Sequence, residues 1–375
     1  MSGSDGFKNG LEDDSNKEIK TVQLKHGLLK DEIKKKVTKE FKEDVILELR
    51  NLQKWFPVRR SISQILKGEH HWVKAVDGIS LKIYKGEIFG LIGESGCGKT
   101  TTGKLVMKLM EPTGGEMFFN GEDVTSLNKE ELSMHKRNVQ MIFQDPYASM
   151  NPRFKVRDVL AEPLLIHGIG QSREERTSLS TQALEEVKLT PADEFMNRYG
   201  HMLSGGQRQR IATARTLILS PGFIVADEPV SMIDLSTRAE ILHMMKDVQK
   251  GLGLTYLYIT HDLSTARYFT DRIAVMYLGK IVEMGNVDDV VDNAKHPYTR
   301  ALIAAVCEPA SGKVKELKEV PIKGEIPSAA DIPSGCRFHP RCVYASSECW
   351  EQEEPVMEDI ASGHYVACRR YKEID

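Results

Sequence analysis

The sequence predicts an α/β fold, on three observations. Apolar runs of strand length alternate along the chain with longer stretches of helical character. One such run, Glu87–Ile92, leads into Gly93-Glu-Ser-Gly-Cys-Gly-Lys-Thr100, and a helical stretch, Thr101–Met110, follows. Another, Phe223-Ile-Val-Ala-Asp-Glu228, ends in two carboxylates. The glycine segment fits G-x-x-x-x-G-K-[ST], and strand, glycine loop and helix stand in the order that a phosphate-binding loop requires.

Residues 1–44 are dense in Lys, Asp and Glu and read as a charged N-terminal extension, with a charged helix over 30–43. Val45–Leu52 alternates apolar and polar residues and reads as a strand; Ile79–Tyr84 reads as a second. Further strands are expected at Val139–Phe143, Phe223–Ala226 and Thr255–Thr260. Ile273–Tyr277 and Lys280–Met284 bracket Leu278-Gly279 and read as a hairpin. Helices are expected over Val156–Ile166, Arg173–Val187, Gly206–Leu219 and Thr237–Leu252. The block from about 146 to 215 carries no strand signal and reads as a helical subdomain inserted into a domain spanning 45–285. From 286 to 375 Pro, Gly and Cys increase, so a separate small unit is expected there.

The 375 residues suffice for one large domain and a smaller one. The 51 basic residues nearly balance the 54 acidic ones, so no overall basic field points to nucleic acid. The longest apolar runs (VILEL, IFGLI, FIVA, YLYI) fall far short of the ~20 residues that cross a bilayer. No apolar h-region marks the N-terminus, so no export signal is expected. Work at a membrane would then need other subunits to do the spanning. Six cysteines in such a chain point to reduced thiols or metal ligation.

Gly93, Gly96 and Gly98 let the backbone approach phosphates and turn N–H groups inward. Lys99 would reach the β- and γ-phosphates, and Thr100 would hold Mg²⁺. Asp227 is placed to hold the same ion, directly or through water, and Glu228 to polarise an attacking water. Cys97 reads as a small filler. Leu203-Ser-Gly-Gly-Gln207 opens a helix with Ser204 as N-cap, which makes a second anion-binding surface. Two chains packed head to tail would use both surfaces.

Over about residues 45–285 these motifs, in this order, resemble the ATP-binding subunit of ABC transporters. Gly93–Thr101 is similar to the Walker A motif, Gln144 to the Q-loop and Leu203–Gln207 to the signature. Phe223–Glu228 is similar to Walker B, Ser231–Asp234 to the D-loop and His261 to the H-loop. The resemblance implies a P-loop NTPase, a RecA-like core with an antiparallel β subdomain and an inserted helical subdomain. It implies ATP around Gly93, Glu94, Ser95, Gly96, Cys97, Gly98, Lys99, Thr100 and Thr101, with Mg²⁺ on Thr100, Gln144 and Asp227. It gives hydrolysis to Glu228, His261 and Gln144, and sets Ser204, Gly205, Gly206 and Gln207 on the nucleotide of a second subunit. Phe56 is expected to stack on adenine, with Trp72 as a second candidate. Ile233 departs conservatively from the Leu more usual there.

Asp145-Pro-Tyr-Ala-Ser-Met-Asn-Pro152, Ala161-Glu-Pro-Leu164, His296-Pro-Tyr-Thr-Arg-Ala-Leu302, Gly324-Glu-Ile-Pro327 and Gly335-Cys-Arg-Phe-His-Pro-Arg-Cys342 resemble the oligopeptide/dipeptide importer branch. That branch also includes nickel and some oligosaccharide importers. It implies an ATP hydrolase at the cytoplasmic face of the membrane. Its partners would be a second, non-identical ATPase, two transmembrane permease subunits and an external substrate-binding protein, without nucleic acid. The surface near Tyr147–Phe154 is then a dock for the membrane subunit. A soluble, non-transport ABC ATPase is the alternative reading.

Cys336, Cys342, Cys349 and Cys368 stand in C-x5-C-x6-C-x18-C spacing, unlike the paired C-x2-C of zinc ribbons. Four thiols in a Pro-rich, core-poor segment point to a metal staple that supplies folding energy. The resemblance implies a 4Fe–4S cluster on all four. Zn²⁺, with His339 or His364, and simple buried cysteines or disulfides are the alternatives. The two histidines read better as structural hydrogen-bonders, and Cys307 as packing.

Overall fold

The structure is a computed structural model that describes residues 44–58, 72–145, 150–305 and 322–374. The charged helix expected over 30–43, Cys307 and residues 146–149 of the expected dock lie outside the described residues. From Ile46 onward the described chain forms one compact unit.

Two sheets organise it. The smaller holds β1 (Val45–Pro57), β2 (Trp72–Tyr84), β4 (Gly114–Phe119) and β5 (Glu122–Asp123) in the order β2-β1-β4-β5. The larger adds β3 (Ile88–Ile92), β6 (Val139–Ile142), β7 (Phe223–Asp227), β8 (Thr255–Thr260), β9 (Arg272–Tyr277), β10 (Lys280–Asn286), β11 (Glu358–Asp359) and β12 (Tyr365–Val366). Its order is β11-β12-β10-β9-β3-β8-β7-β6.

β6, β7, β8, β3 and β9 run parallel, and β3, β7 and β8 are buried along their whole length. This explains their unbroken apolar runs, because a parallel strand is covered on both faces. Alternate residues divide between the two covering layers. Ile224, Ala226, Tyr256 and Tyr258 pack with the helices of residues 156–217. Phe223, Val225, Leu257 and Ile259 pack with the small sheet. Between β6 and β7 the described residues contain only helices, chiefly Val156–Ile166, Arg173–Glu186 and Gly205–Leu217.

Several elements differ from expectation. The helix after the glycine loop runs Lys99–Val106, not Thr101–Met110. It stops where Lys108 turns left-handed (φ 52°) and sends its buried amine to Thr125 O at 2.8 Å. β1 and β2 are longer than the alternation indicated, because their outer ends are half-exposed and carry mixed residues. β4 and β5 escaped notice because the pair opens on Gly-Gly and turns at Asn120-Gly121. The helix Lys129–Asn138 also escaped notice, although Asn128 and Glu131 form a capping box at its start.

The largest correction concerns the C-terminal region. It is not set apart: β12 pairs antiparallel with β10, and Ala367 N–H donates to Val282 O at 2.8 Å. Nor is it core-poor. Phe338 is 1% exposed and meets Tyr277 edge-on at 5.2 Å and Tyr298 at 5.4 Å. Each such buried aromatic contributes roughly 1.5–3 kcal/mol. The apolar partners lie on β9 and the helix Pro297–Ala305, so the sequence of the segment alone could not reveal this core. Buried Glu283 on β10 adds a polar tie, accepting from Lys295 N, His296 N and His364 Nε2 at 2.7, 3.0 and 2.8 Å.

Candidate active site

The site lies at the carboxyl ends of the parallel strands, where open α/β sheets bind ligands. β3 delivers the glycine loop, β7 delivers Asp227 and Glu228, β8 delivers His261, and β6 leads to Gln144. The loop curls tightly. Gly98 sits at φ 113°, and a Cβ there would lie 2.0 Å from Ala75 O, so no other residue fits. Lys99 is 5% exposed, and its Nζ donates to Gly93 O at 2.6 Å and Glu94 O at 2.9 Å. Cys97 is buried beneath the loop, where burial pushes its thiol pKa up, as a packing residue requires.

Thr100 Oγ1 donates to Asp227 Oδ1 at 3.1 Å. Burial raises the Asp227 pKa, against the Thr100 hydrogen bond. This pair is an all-oxygen donor set on a buried carboxylate and suits Mg²⁺. Glu228 holds a left-handed conformation (φ 46°), pinned by its N–H to Ile259 O at 2.9 Å and by Ser231 Oγ, which donates to its carbonyl at 3.0 Å. Such a strained position persists only where its surroundings over-determine it. The carboxylate is gripped on both oxygens. Gln144 Nε2 donates to Oε2 at 2.9 Å, and His261 Nδ1 lies 2.9 Å from Oε1.

The helix start at Leu203–Gln207 forms as the sequence indicates. Ser204 caps the helix Gly205–Leu217, accepting from Gln207 N at 3.2 Å, and Gln207 Oε1 accepts from Ser204 N at 3.0 Å. Gly206 faces the first turn of the next long helix, where a Cβ would meet Thr237 Cγ2 at 2.6 Å. Phe56 and Trp72 lie on the adjacent strands β1 and β2, both partly exposed.

Residues 76–231 match the family described as ABC transporter, and residues 282–349 match the oligopeptide/dipeptide transporter C-terminal region. The oligopeptide transport ATP-binding protein AppF of Bacillus subtilis (strain 168) is 45% identical over 332 residues, covering 88% of this chain and 98% of its own. The chain belongs to the ABC transporter ATP-binding subunits. This ABC subunit is also 40% identical over 333 residues to the dipeptide transport ATP-binding protein DppF of Haemophilus influenzae, covering 88% of this chain and 99% of that one. A dimeric ATP-binding cassette, MJ0796 in a post-hydrolysis state bound to ADP and Pi, superposes with a TM-score of 0.56 at 28% identity. The match covers 64% of this chain and 99% of that chain. The ABC subunit is an ATP hydrolase.

Sequence reasoning missed the contacts that the C-terminal region makes with the cassette. Arg337 is buried, donating to Asp77, to Leu278 O and, at 2.6 Å, to Glu354 Oε1. Burial opposes the charge of Asp77, but Arg337, Lys74 and Lys280 outweigh it and hold its pKa below the ordinary 3.8. Arg341 pairs with Glu94 of the loop itself. Both arginines stood in the motif Cys-Arg-Phe-His-Pro-Arg-Cys, but nothing local signals a partner some 250 residues away.

The described cysteines are all free thiols. Cys336, Cys342, Cys349 and Cys368 line one apolar pocket with His339. Burial, then the neighbouring thiols, push Cys336 up to about 11 and Cys368 up to about 12. No three His, Cys, Asp or Glu side chains among the described residues form a ready group for a metal ion. His364 is engaged by Glu283, and His339 Nδ1 by Cys336 O at 2.9 Å.

Proposed function

We propose that this ABC ATPase powers an importer of oligopeptides or dipeptides through ATP-driven closure of a nucleotide-binding dimer. The Gln144–Glu228–His261 cluster beside an intact phosphate loop carries this reading, in a chain whose relatives are named for peptide transport. By function the chain divides into the extension 1–44, the ATPase domain 45–285 with its helical subdomain at about 146–215, and the cysteine-bearing region 286–375.

Lys99 exchanges the Gly93 and Glu94 carbonyls for β- and γ-phosphate oxygens, while Phe56, or Trp72, stacks on adenine. Glu228 accepts the proton of the attacking water. Gln144 and His261 hold its two oxygens, and His261 meets the γ-phosphate from the far side. Mg²⁺, held by Thr100, Asp227 and Gln144, would neutralise charge on the β- and γ-oxygens. Ser204, Gly205, Gly206 and Gln207 close on the nucleotide of a second, non-identical subunit. Met202, Met232 and Leu235, exposed by 58%, 63% and 82%, support a surface covered in that dimer.

No described helix is long and apolar enough to cross a membrane, so two permease subunits would span it and hold the cassette at the cytoplasmic face. Arg153 and Phe154 are exposed at the entry to the helical subdomain and suit a docking helix of the permease. In proteoliposomes with permeases, partner ATPase and binding protein, ATP should drive uptake of a labelled oligopeptide; uptake of nickel or an oligosaccharide instead would overturn the cargo. Arg153→Glu should cut uptake and stimulated hydrolysis about tenfold, at unchanged nucleotide affinity. An equal fall in affinity would sink the docking role.

Cys336, Cys342, Cys349 and Cys368 would hold a 4Fe–4S cluster. Four thiols around one apolar pocket support it. The cluster would add folding energy to a region that already shares a core. Anaerobically purified protein should absorb broadly near ~400 nm and carry about four irons per chain, and Cys342→Ser should bleach it. Colourless protein with one zinc per chain would overturn the iron.

A further inference from the structure

The cysteine loop reaches the phosphate loop through one side chain. Arg341 is 7% exposed and donates twice to Glu94, from Nη1 to Oε2 at 2.7 Å and from Nη2 to Oε1 at 3.0 Å. Glu94 is the second residue of the phosphate loop. Its N–H donates to Tyr298 Oη at 2.8 Å, and its carbonyl accepts from Lys99 Nζ at 2.9 Å. One residue of the loop is therefore held through both side chain and main chain by the C-terminal region, while its carbonyl holds the lysine that meets the phosphates.

The guanidinium cannot drift. It lies over the rings of Tyr277 and Phe338, at 5.8 and 5.9 Å, and both rings belong to a buried aromatic cluster. Four residues earlier in the same loop, Arg337 is anchored on Asp77 of β2 and on Leu278 O. A bidentate guanidinium–carboxylate pair fixes the carboxylate in rotation as well as position. It also cancels a negative charge in a loop that must accept a polyanion.

We propose that Arg341 is a positioning residue for ATP binding. It sets Glu94, and through the Glu94 carbonyl the Lys99 ammonium, and it keeps the Glu94 charge from opposing the triphosphate. This rests on the reading of the chain as an ATPase. Arg341 stands outside every nucleotide motif of the cassette, in the segment whose cysteines face their own pocket.

The test is a mutant cycle on the full chain, read as KM for ATP and kcat. Arg341→Gln leaves the Glu94 carboxylate unneutralised and should raise KM about tenfold with kcat nearly unchanged. Glu94→Gln alone removes the charge and should raise KM by no more than about threefold. The double variant should match Glu94→Gln, because the stranded charge is gone. A merely structural role would lower kcat with the active fraction and would not be suppressed by a second substitution. Wild-type KM in Arg341→Gln, or a double variant as impaired as Arg341→Gln, overturns the proposal. If Arg341→Gln does not fold, Arg341→Lys replaces it, with KM expected to rise about threefold because one ammonium cannot make the paired contact; an unchanged KM then overturns the proposal. An inactive wild type would sink the ATPase reading itself, which is a separate outcome.

Discussion

Glu228→Gln is expected to bind ATP like the wild type and to hydrolyse it at least about a hundredfold more slowly. The two molecules have nearly the same shape, so the phosphate loop, Thr100 and Asp227 are untouched. The carboxamide keeps one acceptor oxygen but turns an N–H₂ group toward either Gln144 Nε2 or His261 Nδ1, which lie 2.9 Å from the two carboxylate oxygens. The side chain thus loses both its basicity and one of its orienting contacts. Binding without turnover should trap the closed dimer, visible by size-exclusion chromatography with ATP and Mg²⁺. Turnover near the wild-type rate would show that another group takes the proton.

Lys99→Ala should fail one step earlier, with ATP affinity lower by about two orders of magnitude or more. The change removes the one cation buried inside the phosphate loop. It also leaves Gly93 O and Glu94 O without the donor that now sits 2.6 and 2.9 Å away. A buried carbonyl that loses its partner costs about 1–3 kcal/mol, so the empty loop loosens as well. Titration of a fluorescent ATP analogue decides it. Affinity within about threefold of the wild type would mean that the backbone N–H groups alone hold the phosphates.

The candidate nucleotide site was legible because each part is local. Gly93–Thr100 carries its own turn chemistry, and Phe223–Glu228 carries its own strand and carboxylates. Ser204 and Gln207 spell out a helix start within four residues. The sequence also assigned His364 and His339 to structural hydrogen bonds, and the structure finds both so engaged. What stayed hidden depends on distant chain. Phe338 reads as one aromatic in a Pro-rich stretch until Tyr277 and Tyr298 close around it. Glu94 reads as one more residue of the phosphate loop until Arg341 arrives. β4 was hidden for a different reason: its register against β1 begins at Gly114, which has no side chain to carry a pattern.

The pairing of β12 with β10 also governs where this chain can be cut. Without residues beyond about 320, β10 would end the large sheet as a seven-residue edge whose middle, now buried, would be uncovered. Such an edge is a template for another copy's strand, and exposed ones drive self-association. The full chain closes it with β12 and then β11, which is two residues long and reads Glu358-Asp359. A short, doubly acidic border repels a further strand. The C-terminal region thus acts as a selvedge for the sheet, and a trimmed cassette would stick to itself even with every ATP-binding motif intact.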